Sequence, residues 1–114
     1  MTGPDLTLPM EIECRDVKRM LDSGEDFLLI DCREEEEHAI VHLSEALLLP
    51  VSQLQDRVGE LEAERRRKVV VHCHHGGRSL MVAQFLRERG FQAQSMAGGI
   101  DRWAEQIDTS LPRY

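Results

Sequence analysis

The chain has 114 residues, a formal net charge of -7, and hydrophobic and charged fractions of 41% and 31%, a composition typical of one compact globular domain and not of a disordered segment. An acidic chain repels nucleic acid phosphates and anionic lipid headgroups, so we expect no nucleic acid and no membrane as a partner. No apolar run approaches the roughly 20 residues that cross a bilayer, and the N-terminal residues lack the basic and apolar regions of a signal peptide.

The first half of the chain predicts short elements that alternate between strand and helix. Residues 1–9, which include two prolines, predict a loose lead-in, and residues 10–114 form the predicted domain. Apolar runs and periodic patterns then predict an edge strand over 10–13, a helix over 15–24, a strand over 27–30, an acidic helix over 34–40, a strand over 46–50, and a helix over 52–61 capped by Ser52.

The second half carries the clearest strand and the clearest helix. Three successive valines in residues 68–72 indicate a strand that is covered on both faces. Residues 79–90 predict a helix that ends at Gly90, residues 91–96 a strand, and residues 99–106 a last helix. Strands and helices thus alternate along the whole chain, which predicts an α/β domain with a mainly parallel sheet and right-handed crossovers.

Cysteine usage indicates a reducing compartment. The three cysteines, Cys14, Cys32 and Cys73, form an odd and low number, which argues against a disulfide framework. We therefore expect free thiols and a cytoplasmic location. At most one of the three is expected to perform chemistry, and Cys14 is expected to be inert.

The segment "VVVHCHHGGRS", residues 69–79, places Cys73 directly after the buried strand. Ligands of open α/β sheets bind at this carboxyl edge. Gly76 and Gly77 permit the positive φ angles that would curl the N–H groups of residues 74–79 around an anion, and the following helix points its positive end at the same place. A thiol in such a field ionises readily, and the thiolate is the nucleophile. Arg78 adds a permanent charge with a fork geometry that suits an oxyanion.

These motifs, taken in order, resemble rhodanese-type sulfurtransferases. "CHHGGRS" after "VVVH" is similar to the active-site loop of that family, "LLIDCREEEEHAIVHLSEALLLP" to its Asp-x-Arg, acidic-helix and Gly-His-Ile region, and "MAGGIDRW" to its Gly-Gly-x-x-x-Trp close. Val41 and Glu45 depart from the pattern, since both stand where the family has glycine. The resemblance implies a single domain with a five-stranded parallel sheet flanked by helices on both faces.

The resemblance also implies a role for each residue of the site. Cys73 would carry a persulfide, and substrate would be bound by the rest of the loop, that is by His74, His75, Gly76, Gly77, Arg78 and Ser79. Protonated His74 and His75 would draw in an anionic donor, or they merely face water. Asp31, Arg33 and His42 would support the structure, while the glutamates from Glu34 to Glu37 would form a solvated helix face. No metal and no organic cofactor is needed.

The loop length favours sulfur transfer over phosphoryl transfer. Four residues separate Cys73 from Arg78, whereas cysteine-dependent phosphatases have one residue more, which widens the ring of donors for phosphate. The expected reaction takes a sulfane sulfur from a small anionic donor such as thiosulfate and passes it to a thiol or a sulfur-carrier protein, with ping-pong kinetics.

Three alternatives remain at this stage. A metal site could draw on His72, Cys73, His74 and His75, with Cys32 or His42 as remote ligands. The same fold could also serve as a non-catalytic or sulfur-relay binding module. Cys32, finally, could be a small core hydrophobe whose side chain points away from Cys73, which is the expectation, or a resolving thiol that bonds to Cys73.

Overall fold

A computed structural model describes residues 8–114 and contains one fully parallel sheet of five strands in the order β1-β5-β4-β2-β3. The strands are β1 (Glu11–Ile12), β2 (Phe27–Asp31), β3 (Leu47–Leu48), β4 (Lys68–His72) and β5 (Gln92–Met96). The α-helices are α1 (Cys14–Asp22), α2 (Glu35–Ile40), α3 (Leu54–Arg57), α4 (Gly77–Glu88) and α5 (Gly99–Gln106). The predicted alternation of strand and helix is confirmed.

Helices cover both faces of the sheet, because successive side chains of each buried strand point to opposite sides. In β4, Val69 and Val71 pack in one cluster with apolar residues of α3 and α4, whereas Val70 packs in a second cluster with residues of α1 and α5. All three valines are at most 1% exposed. The run of valines is therefore explained by a central strand with a helix layer on each side, as the sequence predicts.

The predicted helix over residues 52–61 is an α-helix only over Leu54–Arg57. A 3₁₀ turn over Val51–Gln53 leads into the single turn of α3, and a 3₁₀ segment follows over Val58–Glu64. A β-branched residue and a glycine, Val58 and Gly59, stand at the point where the α-helix stops, and both have low helix propensity. Ser52 does not cap a helix; its hydroxyl donates to Glu34 Oε1 at 2.6 Å.

One strand is shorter than predicted, and only the end of the predicted lead-in is described. β3 has two residues where five were expected. The predicted lead-in, residues 1–9, lies outside the described residues except for Leu8 and Pro9, whose carbonyl oxygens accept hydrogen bonds from Arg87 Nη2 at 2.8 and 2.7 Å. In the described range of 8–114, the longest helix is α4, with twelve residues, and no helix is long and apolar enough to span a bilayer.

Candidate functional site

Cys73 lies at the carboxyl edge of the sheet, in the short loop between β4 and α4, and is 1% exposed. The N–H groups of Gly76 and Ser79 donate to its sulfur at 3.0 and 3.3 Å. Ser79 Oγ lies 3.4 Å from the same sulfur and 2.7 Å from the hydroxyl of Ser95 on β5. The loop therefore wraps hydrogen-bond donors around Cys73, as the sequence predicts.

Glycines shape the loop from two sides. Gly76 has φ +111° and caps α4, which begins at Gly77, two residues earlier than predicted. Gly77 itself has no positive φ, so only one glycine of the pair acts as expected. On the other side, Gly99 has φ +60°, and a Cβ there would collide with the carbonyl oxygens of Cys73 and His74. The carbonyl oxygens of Cys73 and His74 accept hydrogen bonds from the N–H groups of Ile100 and Asp101 in the first turn of α5, at 2.9 and 3.0 Å. Both oxygens are therefore already satisfied.

These contacts favour the thiolate form of Cys73. The Cys32 thiol beside it has the largest effect in lowering the pKa of Cys73, and the bonds from Ser79 and Gly76 act in the same direction, while burial opposes them. The pKa of Cys73 therefore falls well below that of an ordinary thiol, and Cys73 is a thiolate at neutral pH.

Cys32 does not point away from Cys73, contrary to the expectation from sequence. Asp31 pairs with His72 in the sheet, so the following residues, Cys32 and Cys73, stand at matching positions. Both cysteines belong to the same buried cluster beneath α4. The neighbouring Cys73, followed by burial, raises the pKa of Cys32 far above its ordinary value, so Cys32 holds its proton while Cys73 releases its own.

Arg78 lies beside the loop but is already paired. Its guanidinium makes a two-point ion pair with the Glu37 carboxylate of α2, at 2.7 and 2.8 Å. The bonds from Arg78 lower the pKa of Glu37 to about 2, although burial opposes this. Glu37 also completes a capping box with Glu34. The expectation of a merely solvated acidic face is therefore wrong for Glu37, which is paired with Arg78.

The two loop histidines differ in environment. The His74 ring stacks on the ring of Tyr114, with 3.8 Å between centroids and 6° between planes. The His74 ring also stacks on the ring of His75, with 3.9 Å between centroids. Burial, and then the neighbouring His75, lower the pKa of His74, so His74 is neutral at pH 7 and supplies no charge. The side chain of His75 is 67% exposed and its Nε2 lies 3.7 Å from the Asp101 carboxylate.

Tyr114 is a site residue that sequence reasoning missed. Besides stacking on His74, its hydroxyl donates to Glu37 Oε1 at 3.0 Å and accepts a bond from Arg33 Nη1 at 2.8 Å. Nothing in the local sequence around Tyr114 indicates this role, because the contact joins positions more than thirty residues apart.

Asp31 and Arg33 form a buried ion pair in which both side chains are 0% exposed. Arg33 donates to both Asp31 oxygens, at 3.0 and 2.7 Å, and to the carbonyls of Val41 and Glu37. Burial works against ionisation, but the bonds from Arg33 lower the pKa of Asp31. The arginine thus fastens α2 to the sheet through backbone carbonyls and Tyr114, which accords with a supporting role.

His42 sits apart from the loop. Its ring is exposed, stacks on that of His38 at 4.0 Å, and lies with Nδ1 3.0 Å from the His38 carbonyl oxygen. These contacts steady the end of α2 only.

The possible metal ligands that lie together include two of the sequence candidates, His74 and His75, while the third, Asp101, was not among them. Ligand atoms of His74, His75 and Asp101 all fall within 4.8 Å of one another. Asp101 is also paired with Arg113, at 2.9 and 3.0 Å. Within the described part of the chain, neither His72 nor Cys73 belongs to such a cluster.

Comparison with known proteins gives a consistent result. The sequence profile of the Rhodanese-like domain matches residues 13–106. The thiosulfate sulfurtransferase GlpE of Coxiella burnetii is 34% identical over 86 residues, which cover 75% of this chain and 78% of GlpE. The adenylyltransferase and sulfurtransferase MOCS3-2 of Zea mays is also 34% identical, over 90% of this chain but only 23% of that protein. The chain therefore spans about a quarter of the longer relatives that it matches.

Solved structures agree with the fold. The human single-domain sulfurtransferase TSTD1 superposes with a TM-score of 0.76 at 26% identity, over 86% of this chain and 97% of that one. A rhodanese-related protein from Thermoplasma volcanium superposes with a TM-score of 0.77 at 27% identity, over 87% of this chain and 94% of that one.

Proposed function

Because the chain belongs to the Rhodanese-like domain family, we propose that it is a sulfurtransferase that moves a sulfane sulfur from thiosulfate, or a similar small anionic donor, to a thiophilic acceptor through a persulfide on Cys73. The observation that carries this proposal is the buried Cys73 thiolate held by the N–H groups of Gly76 and Ser79. A nucleophile with fixed donors around it is what a covalent sulfur carrier needs.

The reaction has two halves. The Cys73 thiolate attacks the outer sulfur of thiosulfate, the S–S bond of the donor breaks, and sulfite leaves with the electron pair. The terminal sulfur of the new persulfide then carries the negative charge, which the loop donors stabilise. In the second half an acceptor attacks that terminal sulfur and Cys73 returns to the thiolate.

Substrate binding is assigned to the loop from His74 to Ser79. His74 and His75 form its rim, Gly76, Gly77 and Ser79 offer backbone N–H groups, and Arg78 offers charge. Since Arg78 is paired with Glu37, a dianionic donor has to share or displace that carboxylate. Arg78 therefore contributes less to donor binding than a free arginine would.

The acceptor is proposed to be a small thiol or a sulfur-carrier protein. A relative such as the Zea mays adenylyltransferase and sulfurtransferase contains this domain as part of a longer chain, which supports a relay role as the alternative within the same chemistry. The free state of all three cysteines accords with a reducing, cytoplasmic location.

One experiment tests the proposal directly. Intact mass measured immediately after thiosulfate treatment should show one retained sulfur on the wild-type chain, which cyanide removes as thiocyanate. The Cys73→Ser variant is the matched control and should retain none. Hydrolysis of para-nitrophenyl phosphate should be negligible, and vigorous phosphatase activity would instead favour phosphoryl transfer.

A further inference from the structure

Cys32 and Cys73 occupy matching positions at the ends of neighbouring strands. β2 and β4 pair in register as far as Asp31 and His72, and the N–H of Cys32 continues the ladder to the carbonyl of His72 at 3.0 Å. The next position on each strand is the cysteine. Residues that pair in register on parallel strands present their side chains on the same face, and both thiols pack in the cluster beneath α4.

This placement suits a disulfide. Neighbouring strands lie about 4.8 Å apart, within the range of about 4.4–6.8 Å that Cα atoms of bridged cysteines span. Cys32 and Cys73 also lie just beyond the last residues of β2 and β4. The backbone can therefore adjust there more easily than inside the ladder.

In the sulfur transfer proposed above only Cys73 forms bonds to sulfur, and Cys32 acts on the pKa of Cys73 without reacting. Cys32 is 0% exposed, so it does not meet a donor or an acceptor from solution. The sulfur that it can reach is that of Cys73. The loop donors to this sulfur belong to Gly76 and Ser79, whereas Cys32 follows the neighbouring strand, β2.

We propose that Cys32 is a resolving thiol that discharges the Cys73 persulfide within the chain, releases hydrosulfide and leaves a Cys32–Cys73 disulfide. The inference rests on the proposed function, because it requires a persulfide on Cys73. It adds a second activity to the same site: release of sulfide from a sulfane donor at the expense of two thiols.

The step balances without an external oxidant. Cys32 sulfur attacks Cys73 Sγ, the bond between Sγ and the terminal sulfur breaks, and the bond between the two cysteine sulfurs forms. The proton of the Cys32 thiol passes to the departing sulfur, which leaves as HS⁻. The two cysteines together lose two electrons, and the sulfane sulfur gains them. A dithiol reductant then restores both thiols and allows another cycle.

Cys32 would discharge the persulfide when no acceptor is present. An abundant acceptor takes the terminal sulfur before Cys32 reacts, because Cys32 is protonated and attacks slowly. Without an acceptor, the chain discharges its persulfide and stops, with Cys73 blocked until it is reduced.

The test loads the chain with inorganic polysulfide under anaerobic conditions, removes the reagent by desalting, and follows intact mass and released sulfide. Wild type should lose the retained sulfur as sulfide, and non-reducing peptide mapping should show a Cys32–Cys73 linked peptide. In Cys32→Val the persulfide should last at least about tenfold longer, with no link. Cys14→Val, a matched change at another fully buried cysteine, should behave as wild type.

Several outcomes would overturn the inference. A wild-type persulfide as long-lived as that of Cys32→Val would do so, as would sulfide release without the linked peptide. If Cys32→Val does not fold, the wild-type peptide map and Cys32→Ser decide the question. Failure of thiosulfate to load the chain, with a linked peptide still formed after polysulfide, would reject thiosulfate as donor and uphold the resolving thiol. No retained sulfur on Cys32→Val from either reagent would overturn both proposals.

Discussion

Cys14, the first residue of α1, and Cys73, in the loop before α4, are both buried, yet the structure gives their thiols opposite character. Each has an arginine within electrostatic range, Arg102 for Cys14 and Arg78 for Cys73. Burial raises the pKa of Cys14 to about 11, whereas the pKa of Cys73 falls. Neither burial nor a nearby cation therefore explains why the pKa values of the two thiols differ.

The difference lies in the hydrogen-bond partners of each sulfur. Cys14 donates to backbone carbonyls, those of Ala97 at 3.6 Å and Gly99 at 3.8 Å, and these acceptors suit a protonated thiol. Cys73 accepts from the Cys32 thiol, which lowers its pKa most, and from the N–H groups of the loop folded around it, and donors suit a thiolate. Reactivity in this fold is thus set by the direction of a few hydrogen bonds.

The largest expected effect comes from removing each sulfur in turn. Cys73→Ser should lower thiosulfate:cyanide sulfurtransfer about a thousandfold or more, since a hydroxyl at neutral pH is not an anion. Cys14→Ala should keep the activity and cost about 1–2 kcal/mol of unfolding free energy through lost packing. Steady-state rates and chemical denaturation measure both. Cys73→Ser activity within tenfold of wild type would remove Cys73 from the mechanism.

Removing one hydrogen-bond donor from the Cys73 sulfur should make this thiol less reactive, and so more like that of Cys14. Ser79→Ala deletes the hydroxyl that lies 3.4 Å from the sulfur but keeps the backbone N–H. We expect kcat/KM for thiosulfate to fall about tenfold, because the thiolate and the persulfide each lose one stabilising contact. Ser52→Ala, at an exposed serine, is the control. Equal rates for the two variants would show that the hydroxyl does not act on the sulfur.

The pH profile offers a smaller but direct test. An ordinary thiol titrates near pH 8.5, so its reaction rate rises through the neutral range. Because the pKa of Cys73 is lowered, alkylation of Cys73 by iodoacetamide should be independent of pH from about 7 to 9 and should decline only in acid. Cys32→Val removes the contact with the largest effect and should move the decline to higher pH. A wild-type rate that climbs through this range would contradict the lowered pKa.

The smallest effects on activity are expected from changes at Arg78 and its partner Glu37. Arg78→Ala should raise KM for thiosulfate a few-fold, and Arg78→Lys should recover part of the loss, because the cation is already shared with Glu37. Glu37→Gln should lower KM, since it frees the guanidinium. Initial rates at varied thiosulfate measure all three variants. If Glu37→Gln raises KM instead, the ion pair positions Arg78 for the donor and does not compete with it.

The Glu37 ion pair also contributes to stability in a defined pH window. The pKa of Glu37 is lowered to about 2 in the folded chain, against about 4.3 in an unfolded one. Its contribution is complete above the unfolded value and is lost as pH falls toward the folded value. The free energy of unfolding of Glu37→Gln should therefore fall less steeply than that of wild type as the pH is lowered from the unfolded pKa toward the folded one, which acid unfolding curves measure.

Sequence reasoning predicted the layered α/β fold and the loop around Cys73, because both depend on local signals. Three valines mark the central strand, and the glycine after the histidines marks the turn. The limits of α5 were predicted to the residue, since its N-cap Gly98 and its first residue Gly99 mark the start. Local patterns of this kind are strong wherever a strand must be covered or a backbone must turn.

The rest depends on contacts between distant positions. Four successive glutamates look alike in sequence, and only the orientation of α2 decides that Glu37 meets Arg78. Cys32 faces Cys73 because of the β2–β4 register, which the apolar runs alone do not fix. Tyr114 reaches the site through the path of the final turn. Each of these features arises from tertiary packing.

The two outer strands of the sheet have a consequence for how an acceptor protein meets this domain. β1 and β3 form the edges and have only two residues each. An edge so short offers almost no row of unpaired backbone groups onto which an extended peptide could add as a sixth strand. A protein acceptor of the kind proposed above would therefore be recognised through side chains and loops of this domain, and not through addition of a strand to its sheet.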